Sequence, residues 1–305
     1  MKRFLLALLL VLGALCAVVL VPPLLRRDSI TFVSRTSMGE GVLSEPIGIA
    51  YRGGRLYVSD AGNNRIVVFD TAGAVDTIWD GPELDLGRPM HITFDANGLL
   101  LVSEYLNDRV TVFDTTGAVV EHLGGISGSE PGELDAPGGA VEVTGEVFIA
   151  DFYNHRVDVL GGASPRTVGR PGRIFSGRLH YPTDVDTDGE LVYVADAYNH
   201  RIQVFRPDGT FVRKWGGPLG MGGRGGFRGW FRVATGVAVS GERVYAADFE
   251  NNRIQTFTLT GRYLGTAEGG LRHPTDMTTG ARDELYVVDF GNDRVVRFEG
   301  GAPDP

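Results

Sequence analysis

The stretch VYVADAYNHRIQVF, residues 192–205, decides the fold. Val192 to Ala195 and Ile202 to Phe205 are mostly β-branched or aromatic, whereas Asp196, Asn199 and the residues around them suit a tight turn. Two strands joined by a short loop are expected. The arrangement recurs five more times, always with an acidic residue five positions before an arginine. The pairs are Asp60 and Arg65, Glu104 and Arg109, Asp151 and Arg156, Asp196 and Arg201, Asp248 and Arg253, and Asp289 and Arg294.

Working outward, each unit opens at Pro46, Pro89, Pro137, Pro182, Ala234 or Pro274 and closes with a strand after a turn such as DTAG or RPDG. Acid-to-acid spacings of 44, 47, 45, 52 and 41 residues match the roughly 40–50 of a propeller blade. The predicted fold is therefore all-β, a six-bladed β-propeller of four-stranded antiparallel blades over residues 28–299, with 300–305 as a tail. The sixth unit stops near Phe298, one strand short. Residues Ile30 to Ser34 resemble the fourth strands and are expected to fill that place, clasping the two chain ends in one blade and removing an open edge.

Composition agrees. Glycine, at 44 of 305 residues, is about twice its average usage, while 43% hydrophobic and 22% charged residues exclude disorder and collagen. Cys16 is the single cysteine, which excludes a disulfide scaffold and any multi-cysteine metal site. Lys2 and Arg3 precede an apolar run from Phe4 to Leu25, long enough to span a bilayer as a helix, before Arg26 and Arg27. Residues 1–27 are read as an uncleaved signal anchor, the alternative being a cleaved signal peptide. The propeller is then expected outside the cytoplasm, tethered to the membrane or, after cleavage, secreted. With Lys2, Arg3, Arg26, Arg27 and Asp28 set aside, 25 basic and 37 acidic side chains remain, a net charge near −12. Such a surface argues against nucleic acid as a partner.

The loops Asn154-His155-Arg156 and Asn199-His200-Arg201 carry the first two residues of the signature for which the NHL repeat family is named. The chain resembles that family over about residues 30–299, and the resemblance implies a six-bladed propeller. More distantly it is similar to a peptidyl-hydroxyglycine amidating lyase and to regucalcin-like lactonases, both with a metal in the central channel. The likeness to the lyase implies zinc-binding histidines directly after each opening proline. Those places hold Ile47, Met90, Gly138, Thr183, Thr235 and Thr275, none of them a zinc ligand. Carboxylate and amide ligands of the lactonase kind are missing too, with Glu45 beside Pro46 a remote echo.

Two residues beyond each opening position stand Gly48, His91, Gly139, Asp184, Gly236 and Asp276. Metal-ligating types thus alternate with glycine, and His91, Asp184 and Asp276 could converge on a divalent metal ion in the central channel. The competing reading is that each aspartate bonds nearby backbone. The acid–arginine pairs are read as structural, through blade-to-blade ion pairing and loop capping, because one occurs in every blade. His155 and His200 are read as turn residues. The long connection 216–233 interleaves Arg224, Arg228 and Arg232 with Phe227 and Trp230, a candidate face for a ligand or partner; the loop 124–137 is acidic instead. No G-x-S-x-G, H-E-x-x-H or phosphate-loop pattern occurs. The leading expectation is a monomeric, non-catalytic propeller binding a protein, peptide or glycan. A metal-dependent lyase or hydrolase in the channel is the alternative.

Overall fold

The computed structural model describes residues 30–300. The expected signal anchor, residues 1–27, and the tail from residue 301 lie outside the described residues. Among those described, the helical elements are five three-residue 3₁₀ turns, and no helix is long and apolar enough to cross a membrane. Everything else is strand and loop, arranged as six blades of four antiparallel strands.

Blade 4 shows how the deciding stretch folds. Val192–Asp196 pairs with Arg201–Phe205, and Pro182–Thr187 and Phe211–Trp215 flank them on the inner and outer sides. Alternation sends Val192 and Val194 toward blade 3, where they meet Val141 and Phe148, and Tyr193 and Ala195 toward blade 5, where they meet Val237 and Val244. Both faces of the middle strands are thus buried between neighbouring blades, which explains why they read as continuous apolar runs. At about 1.5–3 kcal/mol for each large side chain removed from water, this inter-blade packing dominates stability.

Ring closure follows the sequence reading and goes further. Ile30–Met38 pairs antiparallel with Arg294–Gly300 as the fourth strand of blade 6. Its first residues also pair in parallel with Tyr263–Ala267, at Ile30 with Gly265 and Thr31 with Thr266, fusing blades 5 and 6 into one eight-stranded sheet. Phe32 reaches Tyr245 of blade 5, and Tyr51 of blade 1 stacks on Tyr286 of blade 6. Because Phe32 lies opposite Gly300, the chain enters and leaves the propeller at one face, that of the turns between first and second strands. The opening residues and the loops between second and third strands lie on the other, called here the entry face.

Candidate functional site

The repeated acid–arginine pairs form a clamp within each blade. In blade 4 the Asp196 Oδ2 accepts from Arg201 Nε at 2.7 Å, and its Oδ1 accepts from the His180 N–H, also at 2.7 Å. The Arg201 guanidinium donates onward to the carbonyls of Ile174, Phe175 and Arg178. Asp196 and Arg201 are fully buried, so the guanidinium is a structural ion pinning the incoming loop rather than a free recognition group. The expected blade-to-blade ion pairing is therefore corrected. The pair is internal to its blade, because its two members stand opposite each other on neighbouring strands.

The blade-to-blade link falls instead to the residue just before each arginine. Asn64, Asp108, His155, His200, Asn252 and Asp293 all have φ between 50° and 55°, left-handed backbone that Asn and Asp tolerate best. Each accepts a hydrogen bond from the N–H of the residue preceding the next blade's opening position: Arg88, Ala136, Tyr181, Val233, His273 and, closing the ring, Glu45. His155 and His200 do this through Nδ1 at 3.0 and 3.1 Å. That requires a neutral ring, and burial lowers both pKa values.

One clamp differs. Gln203 and Gln255 each donate an amide N–H to the blade's buried carboxylate. Blade 3 has Asp158 at that place, which cannot donate when ionised. Burial, reinforced by contact with Asp158, pushes the Asp151 carboxyl up to about 8.

At the axis, the first strands of all six blades surround a cavity of about 490 Å³ that opens toward the chain-terminus face. Each of those strands has a register shift near its start, which re-aims the residue two beyond the opening position. His91, Asp184 and Asp276 meet there, with one ligand atom from each lying within 4.8 Å of the others. All three are buried. His91 Nδ1 is 3.6 Å from Asp184 Oδ2 and 3.5 Å from Asp276 Oδ2, and makes no hydrogen bond. Asp184 Oδ2 accepts from the Val237 N–H and Asp276 Oδ2 from the Ile49 N–H, both at 2.9 Å, so the oxygens nearest His91 are themselves anchored to backbone; Asp276 Oδ1 accepts from the Met277 N–H at 2.8 Å. Backbone bonding by the aspartates and convergence at the axis are therefore both present.

The alternating glycines have a steric cause. A Cβ on Gly48 would lie 2.5 Å from the Met90 carbonyl oxygen, and one on Gly139 2.2 Å from Asp184 Oδ1. Every second blade must lack a side chain here for the neighbouring first strand to pack against it. Burial alone would lower the His91 pKa, but the two carboxylates outweigh it and hold it at about 9. Burial pushes the Asp184 carboxyl up to about 8, with His91 opposing and Asp276 reinforcing. Asp186, also lining the cavity, is raised by burial to about 7. Sequence reasoning missed Asp186; its signal was the Asp184-Val185-Asp186 alternation, which places both carboxyls on one strand face.

The loop 216–233 is ordered by its own blade's clamp. Arg253 donates to the Phe227 and Trp230 carbonyls, and Asn251 to that of Gly225. Arg224 pairs with Glu250, and Arg228 lies over the Tyr263 ring. Phe227 packs edge-on against Trp230 and stays exposed, as does Arg232. Loops 124–137 and 169–181 have the same build, each with a short parallel bridge like that between Arg224 and Phe231. Sequence reasoning also missed an aromatic cluster beside these loops on the entry face: Tyr105, Phe152, Tyr153, His155, His180, Tyr181 and Tyr198 in continuous ring contact. Its signal was the aromatic residue in three successive turns, otherwise explained as hairpin connections.

Comparison with known proteins agrees with this architecture. The NHL repeat model matches residues 43–69, 179–205 and 231–257. Among curated proteins no sequence matches. Similar solved structures include a virginiamycin B lyase from Staphylococcus aureus, at 16% identity and TM-score 0.58, covering 89% of this chain and 87% of that one. A gluconolactonase from Xanthomonas campestris shows 14% identity and TM-score 0.66, covering 89% and 90%. An auxiliary nutrient binding protein from Bacteroides thetaiotaomicron shows 13% identity and TM-score 0.62, covering 87% and 70%. At these identities the likeness is one of fold. The chain is a six-bladed β-propeller whose first, fourth and fifth blades match the NHL repeat.

Proposed function

We propose that this chain is an exported, membrane-tethered recognition module whose entry face binds a protein, peptide or glycan without transforming it. The observation that carries the reading is the exposed aromatic cluster on that face, where Tyr153 and Tyr198 are 45% and 49% exposed and Phe175, on the adjoining loop, is 74% exposed. Aromatic rings supply large contact area at small entropic cost. Topology supports a tether on the opposite side. Ile30 begins its strand at the chain-terminus face, and residues 26–29 between it and the apolar run can span at most about 14 Å. A membrane holding residues 4–25 would leave the entry face pointing outward.

The test uses the full chain. Alkaline extraction should leave it in the membrane fraction, and peptide and glycan arrays should give signals that Tyr153→Ala with Tyr198→Ala removes. Release by alkali sinks the tether; array signals untouched by the double variant sink the recognition face.

A second reading, a metal-dependent lyase or hydrolase working in the channel, has the buried His91, Asp184 and Asp276 cluster in its favour. Against it stand the apolar, glycine and threonine residues directly after the opening positions.

A further inference from the structure

Two of the three edges of the axial cluster have the length of edges in a first coordination shell, and all its ligand atoms lie within 4.8 Å of one another. Its three members come from blades 2, 4 and 6, so they approach the axis from three sides. The distances from His91 Nδ1 to the carboxylate oxygens, 3.5 and 3.6 Å, are too long for hydrogen bonds. They are close to the edge of a tetrahedron around an ion with bonds of about 2.0–2.1 Å, which is about 3.4 Å. His91 Nδ1, in a side chain about 95% buried, has no hydrogen-bond partner and faces both carboxylates.

The second shell is in place. The Val237 and Ile49 N–H groups fix the two carboxylates, each from the blade next to its own. Asp184 and Asp276 also line the cavity, so the cluster borders a space large enough for water or a small ligand. One imidazole and two carboxylates with no thiolate suit a first-row divalent ion better than Ca²⁺ or Mg²⁺, which favour all-oxygen shells.

We propose that the propeller axis is a binding site for one first-row divalent transition-metal ion, held by His91 Nδ1 and the carboxylates of Asp184 and Asp276, with its remaining positions open to the cavity. The site requires no catalysis and stands apart from the recognition face. As an ion tying three alternate blades together, it also stabilises the ring, by an amount that grows with the logarithm of free ion concentration above Kd.

The test takes the full chain, stripped with chelator and dialysed, and titrates it calorimetrically with Zn²⁺ and Mn²⁺. One Zn²⁺ per chain is expected, with a rise in melting temperature. His91→Gln, Asp184→Asn and Asp276→Asn should each weaken binding at least about tenfold, since loss of a mere supporting residue already has effects of that size. The stacked pair His155 and His180, with ring centroids 5.2 Å apart on the other face, is the competing zinc site, so His155→Asn with His180→Gln should leave the titration unchanged. Zinc-edge X-ray absorption of the loaded wild-type chain gives a readout independent of variant folding: one nitrogen and at least two oxygens at about 2.0–2.1 Å supports the proposal. A shell of two or more imidazoles, binding lost in the His155 and His180 variant, or a folded chain taking up no Zn²⁺ overturns it.

Discussion

The rim and the axis of this propeller are built from the same repeat and obey different rules. At the rim every blade has a carboxylate, an arginine and a left-handed linking residue, and six near-copies do six copies of one job. At the axis the equivalent positions alternate between chemistry-bearing side chains and glycine. The difference teaches where to look for function in a repeat protein. Uniform positions hold the scaffold, and a position that breaks the period is free to make a site.

The sharpest way to break the rim is to open it. Deleting Ile30 to Ser34 removes the buried Ile30 and Phe32 and the strand shared by blades 5 and 6, and should cost about 3–6 kcal/mol in a urea titration. A truncated chain unfolding at the wild-type midpoint would deny that the clasp closes the ring. Arg201→Ala leaves the fully buried Asp196 facing no cation, with an expected loss of about 3–5 kcal/mol by the same titration. At the axis, Gly48→Ala forces a methyl against the Met90 carbonyl and His91 backbone. It should cost about 1–3 kcal/mol, as overpacking does. A neutral result would show that the alternation is not sterically required.

Two smaller effects sharpen the picture of the rim. Folded Asp151 keeps its proton to about pH 8, far above the ordinary carboxyl value of 3.8, so between those limits the folded chain binds more protons than the unfolded one. Its contribution to stability is complete at low pH and declines as pH rises toward 8. Asp158→Gln restores the amide donor present in blades 4 and 5. It should flatten that decline and add about 1 kcal/mol near pH 8, read from melting curves across the range. An unchanged slope would mean that Asp158 does not help to hold the Asp151 proton. Smallest of all, His200→Asn should stay within about 0.5 kcal/mol of wild type, because Asn makes the same link in blades 1 and 5, whereas His200→Ala should lose about 1 kcal/mol. Equal losses in the two variants would remove the linking role.

The sequence by itself determined the blade count, the strand order within a blade and the origin of the closing strand, because period-two patterning and turn chemistry are local and repeat six times. It also singled out His91, Asp184 and Asp276, since an interruption of a period shows in a linear text. Tertiary structure alone decided that the acid–arginine pairs work within blades and that the left-handed residue links them, for both depend on which carbonyls and N–H groups the next loop brings near. The Asp151 and Asp158 pair, the aromatic cluster of three adjacent turns and the Nδ1 of His91 poised between two carboxylates were settled in the same way. Each joins residues far apart in the chain, and only ring closure fixes their distances.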